Sequence, residues 1–318
     1  MSTSNASLWG ILLAGGEGER LKGFVRERFG TEMPKQFCAF FGERTMLERT
    51  IRRVRLLIPS ERLIVVGTAH HHAHILRSLG SSPPGTILLQ PANRDTAPGI
   101  VLPLIQILQK DPNGFVAIFP SDHFVMPGYR FMRAVREAAR FLACTGVDRP
   151  ILLAVEPAWP EPEYGWIEPG TTVGVSNQHA IRRINQFIEK PSSEQAGCLM
   201  RDGWLWNTMV IVARASALMT LVREHLPELA AWFTLLQRFL GTVREQDLLN
   251  ELYEAIPKIN FSTSVLAVRS DPSLFLSVRN VRWNDLGTRE RVLGTVTALA
   301  PLPSSHGRTP HGGLMSPM

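Results

Sequence analysis

Apolar runs recur through the first half of the chain, and each ends in a polar or glycine-rich break. Residues 9–14, 63–67, 86–91, 115–123 and 151–157 are short and rich in Ile, Leu, Val and Phe, the pattern of buried strands. Stretches with helical spacing lie between them. In 46–58, Met46, Leu47, Ile51, Val54 and Ile58 share one side, and Pro59 stops the helix. Residues 96–110 predict a helix with Pro98 in its first turn and Pro103 at a kink, and 131–143 an amphipathic helix. This alternation predicts an α/β fold, a mostly parallel sheet with helices on both faces. Ligands of such sheets sit beyond the carboxyl ends of the strands, so the polar ends of the first, third and fourth strands draw attention. The second half is less regular. It predicts strands at 180–191, 207–214 and 265–269, and a long helical stretch at 215–240. No internal repeat is evident.

Composition narrows the picture. A chain of 318 residues with average hydrophobicity suits one large domain, taken as 1–302. Residues 303–318, rich in Pro, Gly and Ser, predict a disordered tail. The formal charge of +6 favours anionic ligands. Nucleic acid is not expected, because the arginines are scattered as on solvated helix faces rather than run together with aromatics. Cys38, Cys144 and Cys198 are far apart with no CxxC, so neither a zinc site nor a disulfide framework is indicated. There is no leader-like N-terminus and no membrane-length apolar run, and a soluble cytoplasmic protein is expected.

The densest candidate chemistry is ILLAGGEGERL at 11–21, followed by PKQF at 34–37. Gly15, Gly16 and Gly18 let backbone N–H groups approach phosphate oxygens, and Arg20 and Lys35 can neutralise the remaining charge. A Walker A loop needs a lysine directly after its glycines, which is missing, and a dinucleotide fingerprint needs a glycine where Leu21 stands. Asp122, in SDH at the end of a strand, and Asp285, in RWNDLGT, could together grip one hard cation. Asn93, Arg94, Asp95 and Thr96 lie between a strand and a helix, where amides and hydroxyls can read a base; Asp95 or Thr96 also suits a helix N-cap. Glu189 and Asn207 can hydrogen-bond sugar hydroxyls, and Lys190 can hold a sugar phosphate. His70, His71, His72 and His74 form a cluster in which His70 and His74 have metal-ligand spacing. No carboxylate is near them in sequence, and a solvated helix start is the preferred reading.

In this order, GGxGxRL…PKQF, NRDTAP, PSDH, YGWIE, FIEKP, WNT and WNDLGT resemble the segments of the sugar-1-phosphate nucleotidyltransferases, above all the mannose-1-phosphate guanylyltransferases. The resemblance covers about residues 9–290. It implies a Rossmann-like, GT-A-like three-layer fold with a mixed, mostly parallel central sheet and a sugar-binding part mainly in 155–290. It implies Mg²⁺-dependent transfer of a nucleotidyl group from GTP or another NTP to a sugar 1-phosphate, with release of pyrophosphate. By this likeness Arg20 and Lys35 serve the triphosphate, and Asp122 and Asp285 the metal. Gly165, Glu189, Lys190 and Asn207 serve the sugar phosphate. A homodimer is compatible with it. The chain departs from the pattern at Glu19, where a small hydroxylic residue is usual, and at Met209, where a glycine is expected. Ser262 and Ala267 stand in place of an aspartate and a glutamate, and the loop from Arg20 to Pro34 is long. Another NTP and sugar pair, or a sugar-nucleotide-binding protein without catalysis, stays open.

Overall fold

A computed structural model describes residues 7–80, 83–268 and 273–299. In chain order its first half runs β1 (Leu8–Leu13), α1 (Lys22–Phe29), α2 (Met46–Val54), β2 (Leu63–Thr68), α3 (His72–Leu79), β3 (Thr86–Gln90), α4 (Thr96–Lys110), β4 (Phe115–Pro120), β5 (Phe124–Met126), α5 (Gly128–Thr145) and β6 (Ile151–Val155). The second half runs β7 (Gly165–Ser176), β8 (His179–Glu189), α6 (Ser193–Arg201), β9 (Leu205–Arg214), α7 (Ala215–His225), α8 (Pro227–Gln237), α9 (Glu245–Ala255), β10 (Leu274–Ser277), β11 (Arg282–Asn284) and α10 (Arg289–Leu299).

Nine strands form one sheet in the order β3-β2-β1-β4-β9-β6-β10-β8-β7. Pairing fixes their directions: β8 and β9 run against the other seven, so the sheet is mixed but mostly parallel. The two-residue period of the strands sorts side chains to opposite faces. Ile11, Ile64 and Ile118 lie abreast and pack against Ile100 of α4, Leu218 of α7 and Phe233 of α8. The next residues, Leu12, Val65 and Phe119, face α2 and α5 on the other side, where Ile51 and Val135 meet them. Both faces are covered, which is why these strands read as continuous apolar runs.

Two expectations are corrected. The helical stretch 215–240 is broken at Leu226, because Pro227 has no N–H to continue a helix and instead starts α8. Residues 262–266 are a π-helical turn, not the start of a strand; residue 269 lies outside the described residues. Tertiary hydrogen bonds decide this: Ala97 N donates to Ile259 O at 3.0 Å and Phe261 N to Thr96 Oγ1 at 2.8 Å, docking the segment on the start of α4. The expected disorder of 303–318 also lies outside the described residues. No helix among the described residues is long and apolar enough to cross a membrane. Cys38, Cys144 and Cys198 form no disulfide.

Trp206 on β9 is the hub of an aromatic cluster. Its ring centroid lies 4.9 Å from that of Trp159, 5.0 Å from Tyr164, 6.1 Å from Trp166 and 6.2 Å from Trp283. Trp283 belongs to β11, which pairs antiparallel with β5 and brings the end of the chain back to the tip of β4. Trp206→Ala is therefore expected to cost about 3–5 kcal/mol in urea unfolding, and Trp159→Ala, at a 36% exposed position, less than half as much. Equal costs would contradict a hub at Trp206.

Candidate functional site

The glycine turn leaves β1 at the carboxyl edge of the sheet. Gly18 has φ 65°, and a Cβ there would lie 3.1 Å from Lys35 N and 3.3 Å from Pro34 Cα, so only glycine lets the turn lie against the Pro34–Lys35 segment. Gln36 fastens the two: its Nε2 donates to Ala14 O at 3.1 Å and to Gly16 O at 2.7 Å. Arg20 is exposed and pairs with Glu163 at 2.7 Å. Glu19 is exposed too, and its charge is met by Lys22 at 2.7 Å. The long loop from Arg20 to Pro34 contains α1, which Arg289 ties to the last helix through Glu27.

Lys35 joins the two candidate metal ligands. Its Nζ lies 3.0 Å from Asp122 Oδ2 and donates to Asp285 O at 2.6 Å. The β5–β11 ribbon, with Asn284 opposite Phe124, sets Asp285 beside the Asp122–His123 turn. Asp285 Oδ1 accepts from Tyr164 Oη at 2.9 Å, Arg291 Nη1 at 2.8 Å and Gly287 N at 2.8 Å. Arg291 also pairs with Glu161 at 2.6 Å and lies over the Tyr164 ring. Burial pushes both aspartates up, but the cations outweigh it. Lys35 and His123 hold Asp122 below the usual carboxylate range, and Lys35, His123 and Arg291 do the same for Asp285. Two anionic carboxylates thus lie on either side of Lys35, with the His123 imidazole 3.6 Å from Asp122 Oδ1.

A cavity of about 290 Å³ adjoins the glycine turn and is lined by Gly15, Gly16, Asn93, Asp95, Thr96 and Lys258 among others. Asn93 Nδ2 donates to Gly15 O at 3.1 Å, and Asp95 caps α4 by accepting from Thr96 N at 2.6 Å. Arg94 turns away: its Nε donates to Tyr253 O at 2.7 Å, so it anchors α9 rather than lining this cavity.

On the opposite side of the aspartates, Gly165 pairs with Glu189 across β7 and β8. A Cβ at Gly165 would stand 2.7 Å from Glu189 Oε2 and 3.4 Å from Asn207 Cβ, so these three residues form one cluster. Burial pushes the Glu189 carboxyl up, partly offset by Lys190. Lys190 itself is exposed, with φ 50° and its N–H bonded to Tyr164 O at 3.1 Å. Met209 has φ 61°, the left-handed region that explains why a glycine is expected there. Ser262 Oγ lies 2.9 Å from Met209 Sδ, so two of the departures from the family pattern touch each other.

The histidine cluster lies at a helix start, with His70 and His72 exposed as expected, but one member is not solvated. His71 is buried, bonded to Thr68 Oγ1 at 2.8 Å, and burial and His70 push its pKa down to about 4. Glu17 of the glycine turn reaches His70 at 3.2 Å and His71 at 3.5 Å, whereas His74 stacks on Phe37. Sequence reasoning missed Tyr164, Glu161, Arg291 and Lys258 as parts of the site. YGWIE contained a signal for Tyr164; Arg291 sits in RERV, which reads as an ordinary helix surface.

The depressed aspartates make a stability prediction. Their contribution is complete above the unfolded-state pKa of about 3.9 and is lost as pH falls through the lower folded values. Lys35→Met removes the largest of the offsetting cations and raises both groups. In urea titrations between about pH 5 and 3, wild-type stability should fall more steeply than that of the variant, and the two should converge. A constant gap across this range would contradict the assignment.

The family model for nucleotidyl transferases matches residues 9–299. Mannose-1-phosphate guanylyltransferase of Escherichia coli is 29% identical over 222 residues, 69% of this chain and 45% of that protein. Xanthan biosynthesis protein XanB of Xanthomonas campestris pv. campestris is 28% identical over 294 residues, 89% of this chain and 58% of that protein. The chain spans about half the length of these curated relatives. Among solved structures, mannose-1-phosphate geranyltransferase from Thermus thermophilus superposes with a TM-score of 0.76 at 27% identity, over 90% of this chain and 79% of that one. With a match along nearly its whole length, the chain belongs to the nucleotidyl transferase family.

Proposed function

We propose that this chain transfers a nucleotidyl group from GTP to mannose 1-phosphate, giving GDP-mannose and pyrophosphate, with Mg²⁺ as cofactor. The observation that carries the reading is the Lys35-bridged pair Asp122 and Asp285, set between the glycine-turn cavity and the Gly165–Glu189–Asn207 cluster. Guanine and mannose rest on the printed names of relatives such as that of Escherichia coli. Asn93 Oδ1 accepts from Asp95 N at 2.9 Å and Asp95 Oδ1 from Thr96 N at 2.6 Å, so the second carboxylate oxygen of Asp95 is the acceptor offered to the N–H edge of a guanine.

The carboxylates fit a hard divalent cation. Asp285 Oδ2 has no hydrogen bond among the described residues, and Asp122 Oδ1 has only His123 at 3.6 Å. Bound there, the cation would neutralise charge on the phosphates of the reacting nucleotide.

The chain's own residues do the rest by positioning and charge. The sugar-phosphate oxygen attacks the α-phosphorus, the bond to pyrophosphate breaks on the opposite side, and the electron pair leaves with pyrophosphate. The nucleophile is already an anion, so no general base is required; the obstacle is repulsion between two anions. An ammonium has three donors, and Lys35 uses two on Asp122 and Asp285, leaving one for a phosphate oxygen. Arg20, exposed beside the turn, can swing from Glu163 to the triphosphate. Glu189, whose carboxyl burial pushes up, and Asn207 face sugar hydroxyls. Lys190 meets the sugar phosphate.

Asp122→Asn should lower kcat for pyrophosphate release by at least about 10³-fold while changing sugar-phosphate KM little. Retention of Mg²⁺-dependent turnover in that variant would remove the metal assignment. Gly165→Ala should raise KM for the sugar phosphate more than KM for the nucleotide, because the new methyl group displaces Glu189. A panel of nucleotides and sugar 1-phosphates should give highest kcat/KM with GTP and mannose 1-phosphate. Another preferred pair would correct the substrates, and no release with any pair would favour a binding protein.

A further inference from the structure

Behind the aspartate pair lies a second concentration of charge that nucleotidyl transfer does not use. Helix α2 carries Arg49, Arg52 and Arg53, and Arg44 precedes it. With His123 and Gly128 they line a cavity of about 200 Å³ that has no acidic residue in its wall. Arg44 is paired, with Glu48 at 3.0 Å. Arg49 lies over the Phe41 ring at 5.7 Å, and its Nε is buried without a hydrogen bond.

Arg53 is the informative member. It is only 9% exposed, yet no carboxylate pairs with it among the described residues. Its Nη2 donates to Thr50 Oγ1 at 3.1 Å, and its Nε is buried with no partner. A guanidinium is hard to neutralise, and burying one without a counter-charge is among the costliest arrangements in a protein. Burial alone drags Arg53 down to about 10. His123 Nδ1, a third buried nitrogen without a partner, belongs to the same wall.

We propose that this pocket is an anion site for the phosphate group of a small metabolite, distinct from the glycine-turn site. Several guanidinium forks around one cavity match the oxygen geometry and double charge of a phosphate better than the single charge of a carboxylate. The bound oxyanion supplies the counter-charge that Arg53 lacks and takes hydrogen bonds from its idle donors. The pocket is wired to the aspartates: Thr50 Oγ1, which accepts from Arg53, donates to Ser121 O at 3.3 Å, one residue before Asp122. The inference does not depend on the substrates proposed above.

The test titrates the full chain with inorganic phosphate at constant ionic strength, by calorimetry and by thermal unfolding. Wild type is compared with Arg53→Met and with Arg49→Ala/Arg52→Ala. Phosphate can also enter the glycine-turn site, so wild type should bind one phosphate more than either variant, and its phosphate-induced rise in Tm should be at least twice theirs. Without phosphate, Arg53→Met should be at least as stable as wild type, because an uncompensated buried charge has been removed. Should Arg53→Met fail to fold, the double variant, altered at one half-buried and one exposed position, decides alone. Equal stoichiometry and equal Tm shifts in wild type and variant would overturn the proposal. Glycerol phosphate in place of inorganic phosphate identifies the source: tighter binding assigns an esterified metabolite, and equal or weaker binding assigns free phosphate.

Discussion

The ammonium of Lys35 is the interaction around which the site is arranged. It bonds the carboxylate of Asp122 and the main-chain oxygen of Asp285, a residue 250 positions away in the chain. Burying two aspartates is unfavourable unless cations outweigh the desolvation, and Lys35 is the strongest such charge for both. The geometry upstream serves that contact. Gly18 has no side chain because Lys35 N passes where its Cβ would be, and Gln36 pins the same turn from within. Arg291 completes the arrangement by dividing its guanidinium between Asp285 and Glu161.

The sheet and its aromatic cluster convert this local chemistry into a rigid frame. β4, where the parallel block meets antiparallel β9, delivers Asp122, and the β5–β11 ribbon delivers Asp285 from 250 residues beyond Lys35. Tyr164 links Asp285 to the start of Lys190. Its hydroxyl bonds Asp285, its carbonyl accepts from Lys190, and its ring packs on Trp206 and Trp283. Glu189 and Asn207 therefore sit at a set distance from the aspartates through stacked rings and paired strands, the kind of support that positioning catalysis requires.

Much of this was legible in the sequence where burial on both faces made strands continuous and apolar, as in 9–14, 63–67 and 115–123. The second half was less so for physical reasons. β7 was hidden because Pro169, Gly170 and Gly174 interrupt its alternation, and its register with β8 shifts at several points. The segment entering the turn at 262–266 is docked by the bond from Phe261 N to Thr96 Oγ1, 165 residues earlier, which no local pattern encodes. Asp122, Asp285 and Lys35 could be picked out as single residues, but Arg291, Glu161 and the pairing of Glu17 with His70 and His71 arise only from tertiary approach. Arg94, which sequence placed with the base-reading residues, is spent on the carbonyl at Tyr253.

The central claim is that Asp122 and Asp285 act as one unit held by Lys35. A double-mutant cycle of Asp122→Asn and Asp285→Asn, read as kcat/KM for pyrophosphate release, tests this most directly. If the two carboxylates form one centre, the double variant should be no more than a few-fold worse than the poorer single variant. Losses that multiply, each variant subtracting its own share whether or not the other is present, would contradict it.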